Sequence, residues 1–227
     1  MEKTASPQKS YEQYCPVARA LDVVGERWTL LIVRDLLMWP KRYTDLRAGL
    51  PGIATDILTA RLRTLEEAGF VRRRALPPPA PATVYELTET GKRLGPAIRA
   101  LGQVGFTMLG SPQPGEDVRP ERFVAGLHAS FRREEFADLT ETYELVIDGQ
   151  PFTVEVSDGV VDTRPGGASS PSISLGTDAD TFVALMTGRT SAADSLAKRR
   201  ATLEGERSVL ERFVDAFAYP TAQPAAQ

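Results

Sequence analysis

The 227-residue sequence holds one cysteine, Cys15, and one histidine, His128. A single cysteine excludes an intramolecular disulfide, and the two residues together leave no Cys/His set for a structural zinc ion. No uninterrupted apolar run approaches the roughly 18 residues that a membrane-spanning helix requires. The first residues, MEKTASPQKSYEQY, lack the apolar stretch of a secretory signal. A reducing cytoplasm, away from membranes, is the expected compartment. Neither G-x-G-x-x-G nor G-K-[ST] occurs, so no phosphate-cradling loop is offered to a nucleotide. His128 and Ser130 stand two apart on an expected helix and face different ways, which denies them a nucleophile–base role. Glu134-Glu135 and Lys198-Arg199-Arg200 read as solvated surface. No catalytic residue, cofactor or metal is expected.

What is present is an ordinary globular composition, 42% hydrophobic and 25% charged, in a chain long enough for two domains. The net charge of −3 conceals a split. Residues 1–110 carry 16 Lys and Arg against 11 Asp and Glu, net +5, and residues 111–227 carry 11 against 19, net −8. Only the front half suits a polyanionic partner.

Along the chain, residues 1–14 are polar, with ordering expected from Tyr11 or Tyr14 onward. A helix follows over Cys15–Val24, with Val17, Leu21 and Val24 at i, i+4, i+7. Gly25 breaks it. Trp28 to Met38 is apolar nearly all round and reads as a central buried helix, ended by Trp39-Pro40. A short helix from Arg42, a Leu-Pro-Gly turn and a longer helix ending at Gly69 then make a helix-turn-helix. In that longer helix Leu58, Leu62 and Leu65 share the buried face, leaving Thr55, Thr59, Arg61 and Arg63 outward. Phe70–Ala75 and Thr83–Leu87 flank LPPPAPA and read as a hairpin wing whose successive arginines, Arg72 to Arg74, alternate faces. Thr88 is a plausible N-cap for a helix running to about Leu109 through Leu94, Ile98, Leu101, Val104 and Met108. With the helix at Cys15, it offers a dimer interface.

Gly110–Pro120 is rich in Pro and Gly and reads as a linker. Beyond it come a helix over Glu121–Phe136 and strands at Tyr143–Ile147, Phe152–Val156, Val160–Thr163 and Ser172–Gly176. A helix at Ala179–Met186, opened by Thr177 with Asp180, a short helix at Ala192–Leu196, a strand at Arg200–Leu203 and a closing helix from Val209 to Phe217 complete the pattern. The fold class is multidomain: a mainly α winged helix-turn-helix domain over 1–110 and a linker over 111–120. An α+β domain with an antiparallel sheet follows over 121–219, then a disordered tail over 220–227.

The segments CPVARALDVVGERWTLLIVRDLL, RYTDLRAGLPGIATDILTARLRTLEEAGFVRR and VYELTETGKRL resemble, in order, the HxlR-type winged-helix transcriptional regulators, relatives of the MarR group. The resemblance spans about residues 14–109. It implies a homodimer on a near-palindromic double-stranded operator, and in some members a reactive cysteine at the position of Cys15. Residues 121–219 resemble a sterol carrier protein type 2 domain, which implies an apolar tunnel near Phe152, Val154, Phe182 and Met186. The expected protein is a dimeric DNA-binding regulator, with repression its expected mode and an apolar small molecule its expected effector. Arg42, Thr55, Thr59, Arg61 and Arg63 are the expected operator contacts, with Arg73 beside phosphate at the wing. Two other readings stand: a thiol sensor acting through Cys15 with a purely structural back half, and a lipid carrier or enzyme that retains a winged helix. One departure bears on the site. The position usually holding a capping hydroxyl is Ala54, so Thr55 is expected to cap instead, and Asp56 would repel a nearby phosphate.

Overall fold

The apolar run after Trp28 becomes the centre of the front half. In the computed structural model, which describes residues 10–77, 81–106, 108, 113 and 115–219, α2 (Thr29–Met38) buries Ile32, Val33 and Leu36. It starts one residue later than the pattern predicts, because Trp28 takes a left-handed conformation (φ 78°) with the Arg27 guanidinium 5.0 Å over its ring. The chain divides into two compact units, 1–98 and 99–227. The tail 220–227 lies outside the described residues, as do residues 1–9 and part of the expected linker.

In the first unit, α1 (Pro16–Val24) buries Ala18 and Val24, whereas Val17 and Leu21 stay 64% and 39% exposed. Among the described residues the expected stripe is therefore covered only at its last position. A two-residue strand, β1 (Lys41–Arg42), leads into α3 (Tyr43–Gly49), where the Arg42 backbone N–H donates to the Asp45 carboxylate at 3.1 Å. The Pro51-Gly52 turn gives way to α4 (Thr55–Glu67). Leu58, Leu62 and Leu65 on α4 are at most 1% exposed, and burying each contributes about 1.5–3 kcal/mol. The helix ends at Gly69 (φ 74°), with Phe70 N–H bonded to the Leu65 carbonyl and Gly69 N–H to the Glu66 carbonyl. This double closure needs a left-handed residue, which glycine supplies without strain.

Strands β2 (Val71–Leu76) and β3 (Ala82–Leu87) form the wing, and β1 adds on the far side of β3 in the order β1-β3-β2, all antiparallel. Leu76 pairs with Ala82, so the loop is 77–81 rather than the seven residues expected; neither of that pair is a proline, and both can join the ladder. Pro78, Pro79 and Ala80 lie outside the described residues. Thr88 caps α5 (Glu89–Lys92) by accepting from Gly91 N–H at 3.1 Å. The single helix expected after it is two, because Pro96 cannot donate back to the preceding turn and the chain restarts as α6 (Gly95–Phe106). Leu94 and Ile98 pack against the core of the first unit, whereas Leu101, Val104 and Met108 are exposed.

The second unit opens with α7 (Pro120–Ser130), shorter than the Glu121–Phe136 expected. Phe131 leaves the helix to meet Phe217 at 5.2 Å, and Arg132 N–H bonds the Ala216 carbonyl, so the chain turns away there. Strands β4 (Glu141–Ile147), β5 (Gln150–Ser157), β6 (Val160–Pro165), β7 (Ile173–Thr177) and β8 (Ala201–Gly205) lie in the order β6-β5-β4-β7-β8. Asp148-Gly149 and Asp158-Gly159 both take positive φ at each position, the two-residue turn that matches strand twist. Three of the ladders are antiparallel, and β4–β7 is parallel. The helices α8 (Ala179–Met186), α9 (Ala192–Ala197) and α10 (Arg207–Phe217) complete the unit. Asp178 caps α8 by accepting from Thr181 N–H at 2.6 Å, in place of the Thr177–Asp180 pair expected, because Asp178 is the last extended residue before the helix. Tyr143 meets Phe213 at 4.8 Å in the core of this unit.

Candidate nucleic-acid interface

Helix geometry sorts the expected contacts on α4. Thr55, Thr59 and Arg63 follow at i, i+4, i+8, so they lie along one flank, and all three are exposed. Arg61 comes two residues after Thr59 and therefore points to the opposite flank. There its guanidinium pairs with Glu26 at 2.9 Å, with only 21% of the side chain exposed. Arg61 thus clamps α4 to the turn before α2 and does not join the others. Arg63 pairs with Glu67 one turn on, at 2.7 Å, and that hydrogen-bonded carboxylate raises the guanidinium pKa further.

The N-terminus of α4 departs from expectation. Ala54 is the N-cap, extended at φ −73° and ψ 146°, and no side chain caps the helix. Thr55 is already the first helical residue, too far round to accept from the first free N–H groups, so it does not take over the cap. Its carbonyl is engaged instead: Tyr43 Oη lies 3.0 Å away and the Thr59 hydroxyl 2.8 Å away. Tyr43 is a residue that sequence reasoning passed over, since an aromatic at a helix start reads as core.

On the wing, the alternation expected for the arginines is what the ladder imposes. Arg72 and Arg74 reach the same Glu86 carboxylate, each at 2.7 Å. The Arg74 hydrogen bond, with Arg72 beside it, holds the Glu86 carboxyl below the usual range despite some desolvation. Arg73 faces the other way, 5.5 Å over the Tyr85 ring and 3.1 Å from Glu66 at the end of α4. Arg42, beside Val84 in the β1–β3 ladder, is exposed, and so is Arg47 on α3. Among the described residues neither forms an ion pair. Arg47 was not singled out from the sequence, where nothing distinguishes it from other surface arginines.

The remaining candidates lie elsewhere. Cys15 is half-buried at the N-cap of α1 and makes no side-chain cap hydrogen bond. Phe152, Val154, Phe182 and Met186 are all buried in the core of the second unit. His128 lies on α7 with Nε2 2.9 Å from Thr163 Oγ1 on β6, and burial pushes its imidazole below the ordinary value. No helix of the described residues is long and apolar enough to cross a membrane, and no group of three or more His, Cys, Asp or Glu among them is placed to hold a metal.

Residues 23–112 match the family model described as HxlR-like helix-turn-helix, and residues 117–223 match the one described as alkyl sulfatase C-terminal. An uncharacterized HTH-type transcriptional regulator of Synechocystis sp. is 32% identical over 108 residues, covering 48% of this chain and 80% of that protein. Another, of Mycobacterium bovis, is 39% identical over 116 residues, covering 51% and 72%. The solved reduced form of the transcriptional regulator YodB from B. subtilis is 28% identical, covers 44% of this chain and 100% of its own, and superimposes with a TM-score of 0.38.

Proposed function

Because the chain belongs to the HxlR-like helix-turn-helix family of transcriptional regulators, we propose that it binds a near-palindromic DNA operator as a homodimer, α4 entering the major groove. The observation that carries this reading is the single flank of α4 bearing Thr55, Thr59 and Arg63, with Arg73 exposed on the wing strand that follows. Phosphate contacts from Arg42 and Arg73 would fix the register, and the α4 flank would read base edges. The exposed Val17 and Leu21 on α1, and Leu101 and Val104 on α6, support self-association, since burial in a second copy would remove them from water. A two-fold dimer places its reading helices about 34 Å apart, one duplex turn. Repression is the mode we assign, because a protein seated across both half-sites occludes the duplex.

Selection from a random duplex pool tests this directly. The enriched sequence should be two-fold related. Thr59→Ala should change which sequence is enriched, whereas Arg73→Ala should weaken binding to every sequence alike. Equal effects of both changes on selected and random DNA would remove the assignment.

The second unit we assign as the effector site, for an amphiphile carrying an alkyl chain. Its support is the match of residues 117–223 to the alkyl sulfatase C-terminal family, together with the apolar Phe152, Val154, Phe182 and Met186 in its interior. The sterol carrier protein type 2 resemblance belongs to the same proposal. Native mass spectrometry of the full-length protein as purified should find a retained apolar adduct. A bare protein mass, with operator affinity unmoved across alkyl sulfates of rising chain length, would sink it.

A further inference from the structure

Two hydroxyl protons decide what Thr59 offers to a base. The Thr59 hydroxyl lies 2.8 Å from the Thr55 carbonyl and 3.2 Å from Tyr43 Oη, and Tyr43 Oη lies 3.0 Å from that carbonyl. A carbonyl only accepts. The Tyr43 proton therefore goes to the carbonyl or to Thr59 Oγ1, and the Thr59 proton goes to the carbonyl or to Tyr43 Oη. Under every assignment the one hydrogen of Thr59 stays inside the protein. A base acceptor can take it only after an internal bond breaks. With Oγ1 engaged against the preceding turn, the γ-methyl is the side-chain group that this exposed residue still has uncommitted.

We propose that Thr59 is a specificity-determining residue that reads thymine through its γ-methyl group, packed against the thymine C5-methyl in the major groove. That methyl is the one apolar feature of the major-groove edges, and a threonine methyl is a fitting partner for it. The inference rests on α4 being the groove-reading helix. It reverses what a threonine on a recognition helix first suggests, because the hydroxyl here is a structural group and the methyl is the reading group.

The test uses the full-length protein and its selected operator, with each thymine replaced singly by uracil, which deletes only the methyl. At one position per half-site, uracil should weaken wild-type binding about fourfold, the factor expected for one buried methyl. Thr59→Val keeps the methyl and deletes the hydroxyl, so it should retain both affinity and the preference for thymine over uracil. Thr59→Ser keeps the hydroxyl and deletes the methyl in both protomers, so it should bind about sixteenfold more weakly, about fourfold per half-site, and tell the two bases apart no longer. Random duplex, bound equally by all three proteins, controls for folding. Loss of discrimination in the valine variant with retention in the serine variant would mean the hydroxyl reads an amino group, and would overturn the inference. Indifference of the wild type to uracil at every position overturns it too, while leaving operator binding intact. If the pool yields no enriched sequence, the reading beneath it fails and the inference falls with it.

Discussion

Arg61 and Arg63 stand two positions apart and on different sides of α4. The first is mostly covered, pairs with Glu26 across 35 positions of sequence, and packs its stem where α4 meets the turn before α2. The second is exposed and, among the described residues, pairs within its own helix. Substitution separates them. Arg61→Ala should lower the urea midpoint by the equivalent of about 1 kcal/mol through lost packing as much as lost charge. Arg63→Ala should leave the midpoint within about 0.5 kcal/mol, as exposed sites do, and weaken DNA binding instead. A stability loss at Arg63 with none at Arg61 would reverse the two roles.

Among the elements, α4 starts without a side-chain cap. Ala54→Ser should stabilise the protein by about 1 kcal/mol, read from the same urea titration. An unchanged or lower midpoint would mean that residue 54 is held where a serine cannot reach the amides. On α1 the uncovered Val17 makes the opposite kind of prediction. Val17→Asp should leave the monomer folded, because the residue is exposed in one chain, but shift sedimentation from dimer to monomer and weaken operator binding. Elements with a sustained apolar period were legible in the sequence: α2, α4 and the wing strands fall within a residue or so of where the pattern predicts. The rest was not, for physical reasons. β1 is two residues long and has no period to detect. The β4–β7 pairing is parallel and depends on where the intervening chain returns, which local pattern does not encode. Arg61 looked like its exposed neighbours because its partner lies far off in sequence. Tyr43 was invisible for a related reason, since its function depends on one hydroxyl meeting another helix.

At the scale of the whole molecule, the one imidazole makes the second unit sensitive to pH. Burial lowers the His128 pKa from 6.5, the Arg99 charge adds to this, and the Asp162 charge opposes it. The folded unit then holds fewer protons than the unfolded chain just below pH 6.5, so this contribution to stability is complete above that value and declines as pH falls through it. Thermal unfolding should show a lower midpoint at pH 5.5 than at pH 7.5, and His128→Gln should flatten that difference; an equal slope in both proteins would place the sensitivity elsewhere. Glu86 governs a different solution variable. Sitting between Arg72 and Arg74, it is a counterion tethered to the wing, and it travels with the protein to the duplex. Each phosphate that a free cation neutralises adds about 0.9 to the slope of log affinity against log salt. With Glu86 already answering two arginines, the slope should be shallower than the count of basic residues suggests, and operator occupancy correspondingly buffered against swings in cellular ionic strength. Removing the tethered charge with Glu86→Gln should steepen the slope by up to about 0.9 and raise affinity for random DNA at low salt.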